Sequence, residues 1–377
     1  MPSRPSRKPA SARTAAVKPA VKPTASAAAD ELLRQLSNAV AVSGDEGAVR
    51  RLILEAIQGH VDDVKVDALG NVLAVKRGTG RDGRVLVAAH MDEVGFMITG
   101  FESDGSLRFE IVGGLDDRNL LGKPVLVGPQ RLPGVMGAVP IHLVPADRRN
   151  TLVKASQMRI DIGADSEAAA KQLVKLGDRA AFAAEFMALG PSFCGKALDD
   201  RLGCTTLVEL LRGRRYTFDL HAAFTVQEEV GLRGAKVAAF AVDPQCAFVL
   251  DCTPAYDLPP SDEEKENAQY NTRLGLGPAV YIADHGTISD QRLVTHLRRT
   301  AEQAGLPHQW RQPGGGGTDA GAIHLAREGI PSVSVSVPGR YLHTPLALVR
   351  ADDWRNTLRL MQAALETWTP GILRRKG

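Results

Sequence analysis

Five side chains suited to holding metal ions lie in five separate short motifs: His90 in VLVAAHMDEVGFMI, Asp199 in GKALDDRLG, Glu229 in TVQEEVGLRGA, Asp251 in AFVLDCTPA and His343 in GRYLHTP. Two imidazoles and three carboxylates are a poor match for a hard ion that wants only oxygen. They suit two borderline divalent ions that share a bridging carboxylate. Glu228, beside Glu229, is left free to act as a base.

Each of these residues alone carries little weight. A histidine after a strand is usually a satisfied polar group, a Glu-Glu pair a solvated helix start, and an Asp pair a helix cap. Convergence is what counts here. His90, Glu229 and Asp251 each follow an apolar run that reads as a strand, and strand ends hold ligands in fixed geometry. His90 and Asp92 are spaced i, i+2, which on an extended strand puts both on one face. Asp92 can then accept a hydrogen bond from the ring nitrogen of His90 that does not bind metal. Asp199 and Asp200 sit in a short loop before a helix, and His343 in an irregular segment after a strand. The glycine-rich stretch 313–321 lacks the Gly-Lys-Ser/Thr ending of a phosphate loop and reads instead as a close backbone approach beside a site. No GxSxG elbow is present, so a serine hydrolase has no support. The other histidines, including His60, His142, His221, His285, His308 and His324, have no motif context and read as core or surface residues.

The elements that must position these residues follow from periodicity. Leu32, Leu33, Leu36 and Val40 repeat at helical spacing, as do Val49, Leu52, Ile53 and Ile57. VKVD and VLAVK read as short strands around a turn at 67–71. The run from Val85 to Ala89 is apolar throughout, as expected of a strand buried on both faces. It delivers His90 and Asp92 at its carboxyl end, where open α/β sheets bind ligands. After residue 190 the pattern alternates: helix 202–211, strand 220–226, strand 247–250, helix 289–304, strand 332–337 and helix 351–368. The fold class read from this is α/β, a mostly parallel or mixed sheet with helices on both faces. Residues 96–188 have a different texture, with short alternating strands and glycine turns, and read as an inserted small β-barrel domain. The α/β domain then comprises 31–95 and 189–377. The polar stretch 257–272 reads as a solvated loop.

The total charge of +3 hides an asymmetry: residues 1–30 hold six Lys/Arg and one Asp, a net of +5, which leaves −2 for the remainder. The basic character belongs to this segment, so a nucleic-acid-binding core is not supported. Rich in Ala, Pro, Ser, Lys and Arg and free of aromatics, 1–30 is expected to be a disordered tail, with a transit peptide as the alternative. No apolar run approaches the ~18 residues of a spanning helix, which argues against a membrane partner. Cys194, Cys204, Cys246 and Cys252 show no CxxC pairing and read as reduced thiols of a cytoplasmic protein. Cys252, next to Asp251, reads as a small buried hydrophobe, with a thiolate ligand as the sharper alternative.

The chain resembles the dinuclear metal-dependent aminopeptidases of the tetrahedral, self-compartmentalising type, a family that includes glutamyl aminopeptidases and some members labelled endoglucanases. The likeness runs from about residue 31 to 370 and rests on AHMDEVGFM, GKALDDRLG, TVQEEVGLRGA, the Asp251 strand, GGGTDAGAIHLAREGIPSV and RYLHTP, in family order. It implies that His90 and Asp251 hold one metal, that Glu229 and His343 hold the other, and that Asp199 bridges them. Glu228 would be the general base and Asp92 would orient His90. It also implies a PDZ-like inserted domain and a large homo-oligomer, commonly a dodecamer. The segment 1–30 and the acidic run 262–266 depart from the family pattern.

The expected activity is hydrolysis of the N-terminal peptide bond of short peptides. A water bridging two divalent ions attacks, Glu228 takes its proton and passes it to the leaving amine, and the substrate's free α-amino group binds one metal. Zinc suits the ligand types best, with cobalt or manganese as alternatives. A glycosidase using Glu228 and Glu229 is a second expectation, weakened because adjacent carboxylates are poorly placed to flank a sugar across ~5–9.5 Å. A non-catalytic metal-binding scaffold is a third.

Overall fold

The protein is described from a computed structural model covering residues 25–258 and 271–375. The chain enters on α1 (Ala25–Asn38) and α2 (Gly47–Ile57). The hairpin of β1 (Asp63–Val66) and β2 (Val72–Lys76) precedes the apolar strand β3 (Arg84–His90). The next six strands are β4 (Gly95–Phe101), β5 (Leu107–Val112), β6 (Pro124–Val127), β7 (Leu132–Gly137), β8 (Arg159–Asp161) and β9 (Arg179–Phe182), with α3 (Glu167–Leu173) before the last. They close into an antiparallel barrel in the order β4-β5-β8-β7-β6-β9. The barrel has its own core, in which the Phe96 ring meets Phe109 and Phe182 edge-on.

The chain returns through β10 (Met187–Leu189) and β11 (Ser192–Gly195), then α4 (Leu198–Arg212), β12 (Asp219–Thr225), α5 (Arg233–Val242) and β13 (Cys246–Pro254). β14 (Ala279–Tyr281), α6 (Gln291–Ala304), β15 (Gln309–Arg311), α7 (Ala320–Ile323), β16 (Ser332–Arg340), β17 (Ala347–Arg350) and α8 (Ala351–Glu366) complete it. The main sheet has eleven described strands in the order β1-β2-β12-β3-β13-β16-β17-β11-β10, with β14 and β15 attached beside β16. β12, β3, β13 and β16 run parallel at its centre, and the flanking pairs are antiparallel. The sheet is therefore mixed, and the parallel pattern read from the sequence belongs to its central four strands.

Side chains of β3 alternate between two cores. Val85, Val87 and Ala89 pack toward α2, α4, α6 and α8, while Leu86 and Ala88 pack toward α5 and α7. Both faces are covered, which is why the strand carries no polar residue between Arg84 at its start and His90 at its end. Each fully buried Val or Leu here contributes about 1.5–3 kcal/mol.

Two boundaries differ from the sequence reading. Helix α1 starts at Ala25, inside the segment 1–30, because Ala29, Leu32, Leu33 and Leu36 form a buried stripe against the α/β body. The rest of the basic segment, 1–24, lies outside the described residues. The loop 257–272 is anchored where it is described: Asp257 accepts from Arg340 Nε at 2.6 Å and from the Leu274 amide at 3.0 Å, and Thr272 is buried. The acidic run 262–266 lies outside the described residues.

Among the described residues no helix is long and apolar enough to cross a membrane. All four cysteines are free and buried. Burial pushes the Cys246 thiol from an ordinary 9.0 up to about 12. Between those values the unfolded chain has lost this proton and the folded chain keeps it, so stability falls as pH rises from about 9 toward 12. Denaturant midpoints measured at pH 8 and pH 10 will show a smaller loss for Cys246→Ala than for the parent chain.

Candidate metal centre

The register of the central strands brings three ligand-type residues to one edge. Thr225 at the end of β12 lies opposite His90 at the end of β3. Pairing between β3 and β13 stops at Ala88 and Val249, two residues short of His90 and Asp251. The strands part there, and the side chains that follow face a crevice rather than the next strand. Three main-chain kinks then bring in the rest. Ala197, Gln227 and His343 have left-handed φ values of 52°, 56° and 56°. Non-glycine residues in this region are uncommon and gather where a site constrains the backbone. Each adjoins or is one of the sequence-picked residues: Asp199 follows Ala197 by two positions, and Glu228 follows Gln227.

Asp199 lies at the middle of the cluster. His90 Nε2 is 3.2 Å from its Oδ1, while His343 Nε2 is 3.5 Å from its Oδ2. Asp251 Oδ1 is 3.9 Å from His90 Nε2, and Glu229 Oε2 is 3.4 Å from His343 Nε2. Two groups result, His90–Asp199–Asp251 and Asp199–Glu229–His343, each with its ligand atoms within 4.8 Å of one another. Asp199 belongs to both and turns one oxygen to each.

The two imidazoles are fixed from behind. His90 Nδ1 donates to the main-chain oxygen of Asp92 at 3.1 Å, with Asp92 Oδ1 slightly farther at 3.5 Å. The sequence reading had the carboxylate as the partner; the carbonyl is nearer. Asp92 is engaged elsewhere: it accepts from Ser43 Oγ at 2.6 Å, the Glu228 amide at 3.0 Å and the Glu229 amide at 3.2 Å. One carboxylate thus ties the His90 segment to the Glu228–Glu229 turn. His343 Nδ1 donates to the Gly114 oxygen at 2.8 Å, a contact supplied by the chain leaving β5 of the barrel. A Cβ at Gly114 would stand 3.2 Å from that nitrogen, so the close approach depends on glycine.

Of the acidic pair in GKALDDRLG, only Asp199 faces both imidazoles. Asp200 behaves as the helix cap that sequence alone also allowed, accepting from the Gly203 amide at 2.9 Å. Cys252 falls within ligand distance of Asp199 and Asp200. Its thiol instead donates to the Leu198 oxygen at 3.4 Å, and burial with nearby carboxylates pushes its pKa well up, which disfavours the thiolate reading.

The donor set fits divalent cations. Burial, reinforced by Asp199, pushes Asp251 well above the usual carboxylate range. Burial, with Asp319, Glu229 and Asp92 adding to it, does the same to Glu228. Glu229 rises to about 7, mainly through burial and then Asp199, against the pull of His343. Burial opposes ionisation of Asp199 too, yet hydrogen bonds from His343 and His90 hold it well below the usual range. His343 is raised to about 9 despite its burial, through Asp199 and Glu229. Two imidazoles alone therefore neutralise a crowd of carboxylates that repel one another. Cations of charge two placed among mixed nitrogen and oxygen donors relieve that repulsion.

A cleft of about 650 Å³ opens over the cluster, with Leu232, Pro254, Tyr281, Leu342 and the glycines at 315–317 on its other walls. His285 and Arg311 also line it. Sequence reasoning passed over both, although Arg311 adjoins the glycine-rich stretch it had flagged. Arg311 Nη1 donates to the Gln312 oxygen at 2.6 Å and Nη2 to the Gly315 oxygen at 2.5 Å, so the guanidinium is the post around which the glycine loop winds. Asp319 was missed as well. Buried beneath the centre and pushed up to about 6 by burial, it accepts from Thr225 Oγ1 through Oδ2, while Oδ1 has no partner among the described residues.

The chain is similar to known proteins along most of its length. Residues 70–360 match the model of the family described as M42 glutamyl aminopeptidase. A putative aminopeptidase of Acetivibrio thermocellus is 38% identical over 336 residues, covering 89% of this chain and 98% of that protein. The crystal structure of a TET aminopeptidase from the marine sediment archaeon Thaumarchaeota archaeon SCGC AB-539-E09 superposes with a TM-score of 0.86 at 36% identity, covering 92% of this chain and 98% of that one. A Pyrococcus horikoshii TET1 peptidase, described as able to assemble into a tetrahedron or a large octahedral shell, gives 0.80 at 34% identity and covers 90% and 100%.

Thr225→Val removes the one hydrogen-bond donor to Asp319 while keeping the side chain's shape. The expected cost is about 1–3 kcal/mol of stability, since a buried carboxylate is left with no protein partner. An unchanged denaturant midpoint would refute this account of Asp319.

Proposed function

Because the chain belongs to the M42 glutamyl aminopeptidase family and is an aminopeptidase, a peptide-bond hydrolase, we propose that it releases single residues from the free amino ends of short peptides with the help of two divalent cations. His90, Asp199 and Asp251 would hold one cation, and Asp199, Glu229 and His343 the other. The observation that carries this reading is the placement of Asp199, whose two oxygens face two different histidines. When bound, the cations supply Lewis-acid polarisation of the scissile carbonyl and lower the pKa of the attacking water. Zinc best suits this mix of imidazole and carboxylate, with cobalt or manganese as substitutes.

The chain's own groups supply the proton transfers. Glu228 is half-buried on the cleft wall, and among the described residues no side-chain hydrogen bond or ion pair is made by its carboxylate. A carboxyl raised above its usual range by burial and neighbouring charge is suited to take a proton from water and return it to the departing amine. Asp92 holds the amides of Glu228 and Glu229, so it fixes where the base stands relative to the cations. Leu232, Tyr281 and Leu342 line the cleft with apolar surface beside the ligand cluster. A glycosidase would leave both imidazoles and the doubly shared Asp199 without a role.

Assembly into a homo-oligomer accompanies this activity in our reading. The support is the likeness to the Pyrococcus horikoshii peptidase and an exposed apolar patch following β7, where Val139 is 64%, Ile141 59% and Leu143 68% accessible. We assign that patch, within the region 96–188, to contacts between copies. Four free, buried thiols fit a reducing compartment, and we place the protein in the cytoplasm.

The test is release of p-nitroaniline from a panel of aminoacyl-p-nitroanilides by the purified chain. Release is expected from free but not N-acetylated substrates, is lost with EDTA and returns with zinc, cobalt or manganese. No release from any substrate after metal addition would overturn the peptidase reading, and EDTA-resistant cleavage of a glucan would favour the glycosidase. Glu228→Gln should keep the fold and the bound metal while losing activity by roughly 10²–10⁴-fold. Near-normal turnover in that variant would remove Glu228 from the mechanism.

A further inference from the structure

Glu93, Lys196 and Arg201 form a buried ion network with accessibilities of 4%, 2% and 0%. Lys196 Nζ lies 2.8 Å and 2.9 Å from the two Glu93 oxygens, and Arg201 Nη2 lies 3.3 Å from Glu93 Oε1. The placement along the chain is what matters. Glu93 comes three residues after His90 and directly after Asp92. Lys196 comes three residues before Asp199, and Arg201 two residues after it. Two cations that bracket the shared carboxylate are thus tied to one anion that belongs to the His90 segment.

The same three side chains also grip main chain. Arg201 donates through Nη1 to the Met91 oxygen and, at 3.2 Å, to the Asp92 oxygen. Through Nε it reaches the Leu36 oxygen at 3.1 Å. Lys196 donates to the Ala39 oxygen at 2.8 Å, and Glu93 accepts from the Ala41 amide at 2.9 Å. Sliding one segment past the other by an ångström would break several charge-assisted bonds at once. A buried ion pair is weak evidence for stability, because apolar groups of the same shape often serve as well. Apolar packing does not fix direction and distance in this way.

We propose that Glu93, through Lys196 and Arg201, is a positioning residue that sets the spacing between His90 and Asp199 and so the geometry of the two-cation centre. The inference rests on the ligand assignment made above. Glu93 belongs to neither ligand group; its effect passes through the backbone on either side of the ligands.

The experiment is titration of the EDTA-stripped full-length chain with cobalt(II), followed by the visible absorption bands that report coordination geometry. Three variants accompany the parent chain. Glu93→Gln keeps the shape and the contact with the Ala41 amide but removes the charge. Glu93→Gln/Lys196→Met removes both charges together and leaves Arg201 on its main-chain acceptors at Leu36, Met91 and Asp92. Asp353→Asn is the control: this buried carboxylate accepts from the Gly275 and Gly277 amides outside the centre. Both Glu93 variants are expected to melt cooperatively, bind cobalt about 10–100-fold more weakly and show shifted bands. Asp353→Asn should lose melting temperature while keeping the parent's affinity and bands. Parent-like affinity and bands in the folded Glu93 variants would overturn the positioning role and leave the ligand assignment standing. So would a cobalt loss in Asp353→Asn equal to theirs, or failure of Glu93→Gln to fold, since the network would then be only a stabiliser. A parent chain that takes up no cobalt would overturn the ligand assignment itself, and this inference with it.

Discussion

Mutual repulsion among buried carboxylates is the constraint on which the rest of the site depends. Asp92, Asp199, Asp200, Glu228, Glu229 and Asp251 gather around two imidazoles at the carboxyl ends of adjacent parallel strands. Taking even one carboxylate out of water is costly, and crowding several raises that cost. The fold answers in two ways. Some have their oxygens satisfied by hydrogen bonds from groups that cannot move away: Asp92 by Ser43 and two amides, Asp200 by the first turn of α4. The others are left facing one another across a space suited to cations. With cations held as proposed, that second answer would link folding to metal binding, since a bound cation would relieve the repulsion among these carboxylates.

That arrangement needs rigid supports from far apart in the chain. Strands β12, β3 and β13 supply one edge, and their apolar interiors hold it in place. The barrel supplies a carbonyl at Gly114 that orients His343. The turn after β12 supplies Glu228 and Glu229, the proposed base and a proposed ligand, and Asp92 holds both of their amides. Where a regular element would point a side chain the wrong way, the backbone takes a left-handed conformation, as at Ala197, Gln227 and His343. Such conformations persist because the surrounding hydrogen bonds over-determine them.

Much of this was legible in the sequence, for physical reasons. An apolar run with no polar interruption must be buried on both faces, so Val85 to Ala89 announced a central strand and placed His90 at its end. Ligand types are chemical facts about side chains, so two imidazoles among carboxylates pointed to borderline divalent ions before any fold was known. The motifs around them were specific enough to indicate the family. Boundaries were harder. Helix α1 extends back to Ala25 because its apolar stripe finds a surface to cover, whereas composition registered only the Pro- and Lys-rich stretch before it. The polar look of 257–272 hid the anchoring of Asp257 by Arg340, a residue more than eighty positions away.

The sequence by itself determined which side chains could serve, that several of them would stand at strand ends, and that a second carboxylate, Glu228, stands beside the candidate ligand Glu229. Each follows from local properties: residue chemistry, periodicity and the neighbours within a motif. Tertiary structure decided that Asp200 caps a helix while Asp199 turns an oxygen to each histidine. It also decided that the His90 ring meets the Asp92 carbonyl at 3.1 Å as well as its carboxylate at 3.5 Å, and that Glu93 gathers Lys196 and Arg201 from more than a hundred residues away. Those outcomes depend on strand register and on the packing of distant segments, and spacing along a chain encodes neither.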